Sequence, residues 1–422
     1  METLTKLAQN ELFQALFVSL LLIVYSMQEW LLVTKYLDLS PVILTILVCV
    51  IVSALPENNW KVNSFAPVPL IAMFAFAFLS LFWSQIPSNS LQSIITFALI
   101  LFQAILITVN FNTRSMVFGF VLSGLIAGLI SALMAIQNPD MYFSSGFLNG
   151  FYEVRSPLAF LLVFSLAASL SITFKFKYPV LIVLGVLIYL TGSSTAFVSV
   201  IFVVATISVF QLLRKISSLT KTKQLLVWTF LSGFFLFCIS LSSIYLSELL
   251  GVFGKGVTFS GRTKIWELVS ETVKQSPLIG FGWGNENIWS LSSDTGYSIA
   301  LQWFYIQKLE SLSRLAHAHS AFWEIFLYLG FVGLFILLWI FISMFFAAIY
   351  GLFEKSYRTQ DHNSEFFLFV LCSTVVLISY SFTEPYFLFA IGIFITGITA
   401  TIPILIRKKM QKQASQLVST DK

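Results

Sequence analysis

Runs of roughly 20 apolar residues recur along almost the whole chain, each long enough as a helix to cross a hydrocarbon layer of ~30 Å. They predict twelve spans, at 12–28, 39–55, 66–84, 91–110, 114–136, 156–174, 178–192, 194–213, 225–246, 322–351, 365–382 and 386–406. Backbone groups in lipid must pair within their own segment, so an all-α, polytopic bundle is expected, with residues 1–422 forming one membrane domain. The pattern breaks at one place for any length. Residues 247–319 form a long polar loop with its own short helical signal, followed at the chain's end by a basic tail, 407–422.

Composition agrees with the pattern. Hydrophobic residues make up 58% and charged residues 10%, with mean hydropathy +0.89, whereas soluble domains run near ~25% charged. Lys6, Lys61, Arg114, Lys175, Lys177, Arg214, Lys215 and Arg407 fall on one side of the predicted spans. Short basic loops stay in the cytoplasm, so both termini are expected inside and 247–319 outside. The net charge of +5 then reads as anchoring to anionic lipid. Nucleic acid is not an expected partner, since the Arg407-Lys408-Lys409 flank lacks aromatics for base stacking. Cys49, Cys238 and Cys372 lie inside predicted spans and read as small packing residues. The first span lacks a small-residue cleavage site, so no cleavable signal peptide is expected.

Ionisable residues are scarce within the spans, Glu324 excepted, which argues against a proton-coupled carrier or ion pump. Polar residues gather at the outer ends instead: Glu153 and Arg155, Ser193 to Thr195, the long loop, and Glu384. Within the loop, Ile265, Trp266, Val269 and Val273 recur at helical spacing, with Ser260 as N-cap and Pro277 as stop. Gly280-Phe281-Gly282-Trp283-Gly284-Asn285 predicts a tight turn whose backbone approaches something closely. Arg262 and Lys264 sit at a helix N-terminus, where positive charge is unfavourable unless an anion lies among them. Arg262 either binds such an anion or points to water and lipid headgroups. His319 precedes an apolar run of about 30 residues, ~45 Å of helix and longer than the bilayer core. A bend is expected at Gly330 and Gly333, leaving His319 at or above the outer interface. There it is either structural or a base for a hydroxyl proton.

These segments together resemble the O-antigen ligase-like family, which includes O-antigen ligases and O-antigen or exopolysaccharide polymerases. The resemblance rests first on His319-Ser320, nine residues, then Gly330-x-x-Gly333, with Leu334 where the family usually has Gly, Thr or Tyr. Ser260-Gly261-Arg262-Thr263 with Trp266, Pro277-x-x-Gly280-x-Gly282, Phe82-Trp83-Ser84-x-x-Pro87 and Tyr189 to Thr195 are similar to other family segments. The likeness covers roughly residues 75–340. It implies a GT-C-like membrane glycosyltransferase of the bacterial cytoplasmic (inner) membrane. Such an enzyme moves a glycan from a polyprenyl (undecaprenyl) diphosphate carrier to a sugar hydroxyl, with no metal or other cofactor.

On that resemblance His319 is the base and Arg262 holds the diphosphate. Arg155 or Arg314 shares the load, and His317, Ser320, Glu324 and Gly282 give support. The implied partners are the lipid-linked oligosaccharide donor, a glycan or lipid A core acceptor, membrane lipids and a chain-length regulator. Trp83-Ser84 and Gly192 to Thr195 favour a polymerase, ahead of a ligase and of protein O-glycosylation. A lipid-linked oligosaccharide flippase is the alternative from another class, and a docking surface for an assembly partner is the third.

Overall fold

A computed structural model describes residues 2–27, 41–55, 67–144, 146–152, 154–216, 262–284, 317–353 and 363–420. The helices are α1 (Glu2–Gln9), α2 (Glu11–Met27), α3 (Pro41–Ser53), α4 (Val68–Leu79), α5 (Pro87–Asn110), α6 (Thr113–Gln137), α7 (Pro139–Tyr142), α8 (Arg155–Ser171), α9 (Lys177–Thr191), α10 (Ser194–Ile216), α11 (Arg262–Val273), α12 (Ala321–Phe353), α13 (Asn363–Thr383) and α14 (Ala390–Thr420). Two short antiparallel strands, β1 (Phe143–Ser144) and β2 (Phe147–Leu148), precede α8. Every predicted span has a helix at its place except 225–246, which lies outside the described residues. Among the described residues α5, α6, α10, α12, α13 and α14 are long and apolar enough to cross a membrane. The apolar helices α2, α3, α8 and α9, and α4 with its short 3-10 extension, are shorter.

Helix ends follow local chemistry. Asn112 caps α6 by accepting a hydrogen bond from the Arg114 N–H at 2.9 Å, as a short polar side chain does for an orphan donor. Gly192 closes α9 with a left-handed φ of 55°.

Side by side, the helices pack through small residues and buried polar contacts, which replace the hydrophobic drive absent in lipid. The Gly124 N–H donates to Ser165 Oγ at 2.8 Å, so α6 and α8 approach closely. Gln103 of α5 accepts from Tyr25 of α2 and donates to Thr45 Oγ1 of α3 at 2.7 Å, joining three helices.

Polar contacts sort to the two ends of the bundle. At one end Arg114 donates to the Thr173 carbonyl at 2.9 Å, and Thr173 to Glu365 at 2.6 Å. The other end gathers Ser156, Thr195, Arg262, His319, Thr383 and Glu384.

The long apolar run 321–353 is not one rod. Gly330 has φ 62° and ψ −158°, a non-helical conformation that splits α12. The rings of Phe322 and Phe341 lie 6.2 Å apart, although nineteen residues of straight helix would separate them by about 28 Å. Ala321–Leu329 and Phe331–Phe353 therefore double back on each other about Gly330. Glu324 sits in the short first arm, one turn beyond the histidines and ahead of the break at Gly330.

The break frees backbone groups that must find partners, and the 277–284 loop supplies them. Phe281 and Gly282 N–H groups donate to the Leu327 and Tyr328 carbonyls at 3.1 and 2.9 Å. Phe331 and Val332 N–H groups donate to the Pro277 and Leu278 carbonyls at 2.8 and 3.2 Å. A Cβ on Gly280 would lie 2.5 Å from the Tyr328 backbone, so only glycine fits this docking. The Trp83 indole donates to the Ile279 carbonyl at 3.1 Å, and Ser80 accepts from the Trp283 N–H at 3.0 Å. The Phe82-Trp83-Ser84 segment thus clasps the loop that links Arg262 of α11 to the helix after His319.

Candidate active site

Arg262 opens α11, whose apolar face, Ile265, Val269 and Val273, is buried. The helix stops at Val273, before Pro277. Ser260, its expected cap, lies outside the described residues. The anion that the placement of Arg262 calls for is present within the chain itself: Nη2 lies 2.7 Å from Glu384 Oε1, and Nη1 donates to the Thr383 carbonyl. The guanidinium fork thereby meets a carboxylate and a helix C-terminal carbonyl together, a geometry suited to Arg.

His319 is held by a shaped turn. The Ala318 N–H donates to Glu324 Oε2 at 2.7 Å and the Ala318 carbonyl accepts from the Trp266 indole at 2.9 Å, which fixes the peptides on both sides. His319 itself has φ 52°, the left-handed region that non-glycine residues seldom adopt. Its N–H donates to His317 Nδ1 at 3.2 Å, and the two rings lie edge to face at 4.2 Å. Ser320 anchors the next residue by donating to the Ser381 carbonyl at 3.0 Å.

His319 Nδ1 is buried without a hydrogen bond and lies 3.7 Å from Glu384 Oε2. That separation is within ion-pairing range but beyond hydrogen bonding. The side chain as a whole is 34% exposed, although its Nδ1 is buried. Burial would raise the Glu384 pKa, but His319 and Arg262 beside it outweigh burial and hold it below its usual value. For His317, burial, the His319 ring and the Arg262 charge hold the pKa down at about 4, against the pull of Glu384. His317 is thus neutral near pH 7, as an Nδ1 acceptor must be.

The sequence-derived candidates divide by position. Arg262, His317, His319 and Ser320 come together, with Glu324 supporting the turn from below. Arg155 opens α8, but its guanidinium lies over the Phe147 ring at 4.5 Å, while its neighbour Ser156 donates to Glu384 at 3.4 Å. Gly282, with φ 102°, packs against Ser84 and serves the docked loop. Arg314 lies outside the described residues. Glu384 stood out in the sequence as an outer polar residue without an assigned role. Its signal was a lone acid between two apolar runs, at the same predicted end as Arg262. Among the described residues no group of three or more His, Cys, Asp or Glu side chains is placed to hold a metal ion.

Residues 179–338 match the family model described as O-Antigen ligase, a stretch that holds Arg262 and His319 but not Arg155 or Glu384. The exopolysaccharide production protein ExoQ of Rhizobium meliloti is 25% identical over 354 residues, covering 79% of this chain and 77% of that protein. The two findings support an O-antigen ligase-like family for this chain. With its apolar helices they point to a multi-pass membrane enzyme of polysaccharide or O-antigen assembly.

Proposed function

We propose that the protein is a membrane glycosyltransferase of polymerase type. It transfers a glycan from a polyprenyl diphosphate carrier to a sugar hydroxyl at the outer face of the bacterial cytoplasmic membrane, with both termini in the cytoplasm. The observation that carries this reading is the meeting of Arg262 and His319 on one buried carboxylate at one end of an apolar bundle.

His319 Nε2 takes the proton of the acceptor hydroxyl as its oxygen attacks the donor's anomeric carbon. The bond from that carbon to the phosphate oxygen breaks, and its electron pair leaves with the polyprenyl diphosphate. Arg262 offsets the charge that develops there, the task a divalent metal performs in other phosphoryl chemistry. Attack opposite the leaving group inverts configuration. Transfer is therefore expected to persist in excess chelator.

Similarity to an exopolysaccharide production protein favours a polymerase, whereas the description of the matching family model favours the runner-up, a ligase acting on lipid A core. Reconstitution of the full chain in vesicles with a polyprenyl-diphosphate oligosaccharide separates them. A ladder of products supports a polymerase and one addition to lipid A core a ligase. Movement of donor across the bilayer without glycan transfer would make it a flippase and end the glycosyltransferase reading.

A further inference from the structure

The two oxygens of the Glu384 carboxylate face three side chains. Oε1 lies 2.7 Å from Arg262 Nη2 and also accepts from Ser156, while Oε2 lies 3.7 Å from the buried Nδ1 of His319. It follows the last residue of α13, where its N–H donates to the Tyr380 carbonyl at 2.7 Å. The backbone that presents the carboxylate is therefore tied to the helix end. Among the described residues, the His319 ring also meets the His317 ring edge to face, while its hydrogen-bonded supports run through the backbone, namely its N–H to His317 and its neighbour Ala318 to Glu324 and Trp266. Glu384 is the acid that faces the imidazole itself.

We propose that Glu384 is the positioning residue of the proposed glycosyl transfer, keeping the His319 proton on Nδ1 so that Nε2 meets the acceptor hydroxyl. A neutral imidazole has one N–H, and a carboxylate beside Nδ1 selects the tautomer that carries the proton there. The same carboxylate stabilises the imidazolium formed once Nε2 has taken the acceptor proton. It also occupies Arg262 in the resting site, so an incoming diphosphate competes with it for the guanidinium. As that competitor draws Arg262 away, Glu384 turns its charge more fully to His319. Donor binding and base strength are thereby linked through one side chain. This inference rests on His319 as base and assigns a role to a residue outside the segment matched by the family model.

The titratable groups facing Glu384, among the described residues, are Arg262 from α11, His317 and His319 from the turn before α12, and Tyr380 from α13. His317, held down at about 4 chiefly by its burial, stays neutral near pH 7.

The test uses purified full-length protein in vesicles with a polyprenyl-diphosphate oligosaccharide donor, comparing wild type, Glu384→Gln and Glu384→Asp. Glu384→Gln should lower kcat by about 100-fold and move the acid limb of kcat/KM down by about one pH unit. Donor KM should stay unchanged or fall, because Arg262 loses a competitor. Glu384→Asp should recover part of kcat. A raised donor KM with kcat and limb unmoved would mean that Glu384 only holds Arg262, and would overturn the inference, as would wild-type kinetics. Where Glu384→Gln reduces folded yield, Glu384→Asp carries the test, since its longer reach to Nδ1 should still move the limb downward. An unmoved limb there overturns the proposal. His319→Ala separates the two levels: full activity in that variant refutes the base itself. Loss there, beside wild-type behaviour of Glu384→Gln, refutes only the role of Glu384.

Discussion

Arg262 and Glu384, 122 positions apart in sequence, meet at 2.7 Å with side chains only 18% and 11% exposed. The pair ties the helix of the long loop to the end of α13 and sets a fixed positive charge beside the histidine turn. A charge pair so shielded has structural consequences as well as chemical ones, and mutation can separate them.

Arg262→Ala should cost on the order of 2 kcal/mol of stability, less than the ~3–5 for a fully buried pair, because Glu384 is left with no guanidinium. Removing both partners in Arg262→Ala/Glu384→Ala should restore much of the thermal stability without restoring transfer. Arg262→Lys should recover donor use only in part, since a point charge cannot reach Thr383 O and Glu384 together. Thermal midpoints and donor KM for the four proteins check this. Full donor use in Arg262→Ala would remove Arg262 from the site.

His319→Asn tests chemistry apart from fold. Asn tolerates the left-handed backbone that His319 adopts, so the turn should form and expression should match wild type. Without an imidazole, glycan transfer should fall by about 10²–10⁴-fold. Product formation per folded protein measures it, and transfer at wild-type rate would show that the hydroxyl proton goes elsewhere.

His317 makes stability depend on pH. Its pKa falls from 6.5 to about 4 on folding, so between those values the unfolded chain binds a proton that the folded chain does not. Stability is then complete above about pH 6.5 and declines as pH falls towards 4, by roughly 3 kcal/mol in all. His317→Gln should flatten that slope in thermal melts taken from pH 7 to 4. A slope equal to wild type would place the acid sensitivity elsewhere.

The spans were legible because lipid allows little besides helix for a run of apolar residues, and helices stand at the predicted places throughout the described residues. The ends were harder. Apolar residues continue from Ala321 through Gly330 with no change in pattern, so the length of the run hinted at a bend but not at a reversal. Two positive φ values decide that: Gly330 itself and Gly280, whose missing side chain lets the loop dock against the freed carbonyls. Arg262 and His319 drew notice because each residue type was out of place locally, a cation at a helix N-terminus and an imidazole at an interface, while their proposed roles came from the family resemblance. Glu384 was not assigned, since an acid in a short turn between spans looks solvated until the fold brings α11 over it. Arg155 shows how much the sequence leaves open about a side chain. Its position one residue from Ser156 is right for the site, but its side chain is drawn onto the Phe147 ring.

The docked loop gives the most direct check on the fold. At φ 62° and ψ −158°, Gly330 occupies a region that other residues enter at about 1–3 kcal/mol. An added Cβ would also lie 2.4 Å from the Leu278 carbonyl carbon and 2.5 Å from Ile279 N, both backbone atoms that cannot rotate away. Gly330→Ala should therefore cost more than the conformational penalty alone, at least about 3 kcal/mol. It should also push the 277–284 loop off the break, shift α11, and reduce transfer by disturbing Arg262 relative to His319. Gly185 of α9 is the control, since nothing lies within 4 Å of its Cβ position. Gly185→Ala should be neutral or slightly stabilising through better helix propensity. Thermal midpoints and transfer rates of the two variants decide the point. If Gly330→Ala melts and works like Gly185→Ala, then α12 runs straight through residue 330, and the loop does not join Arg262 to the histidine turn.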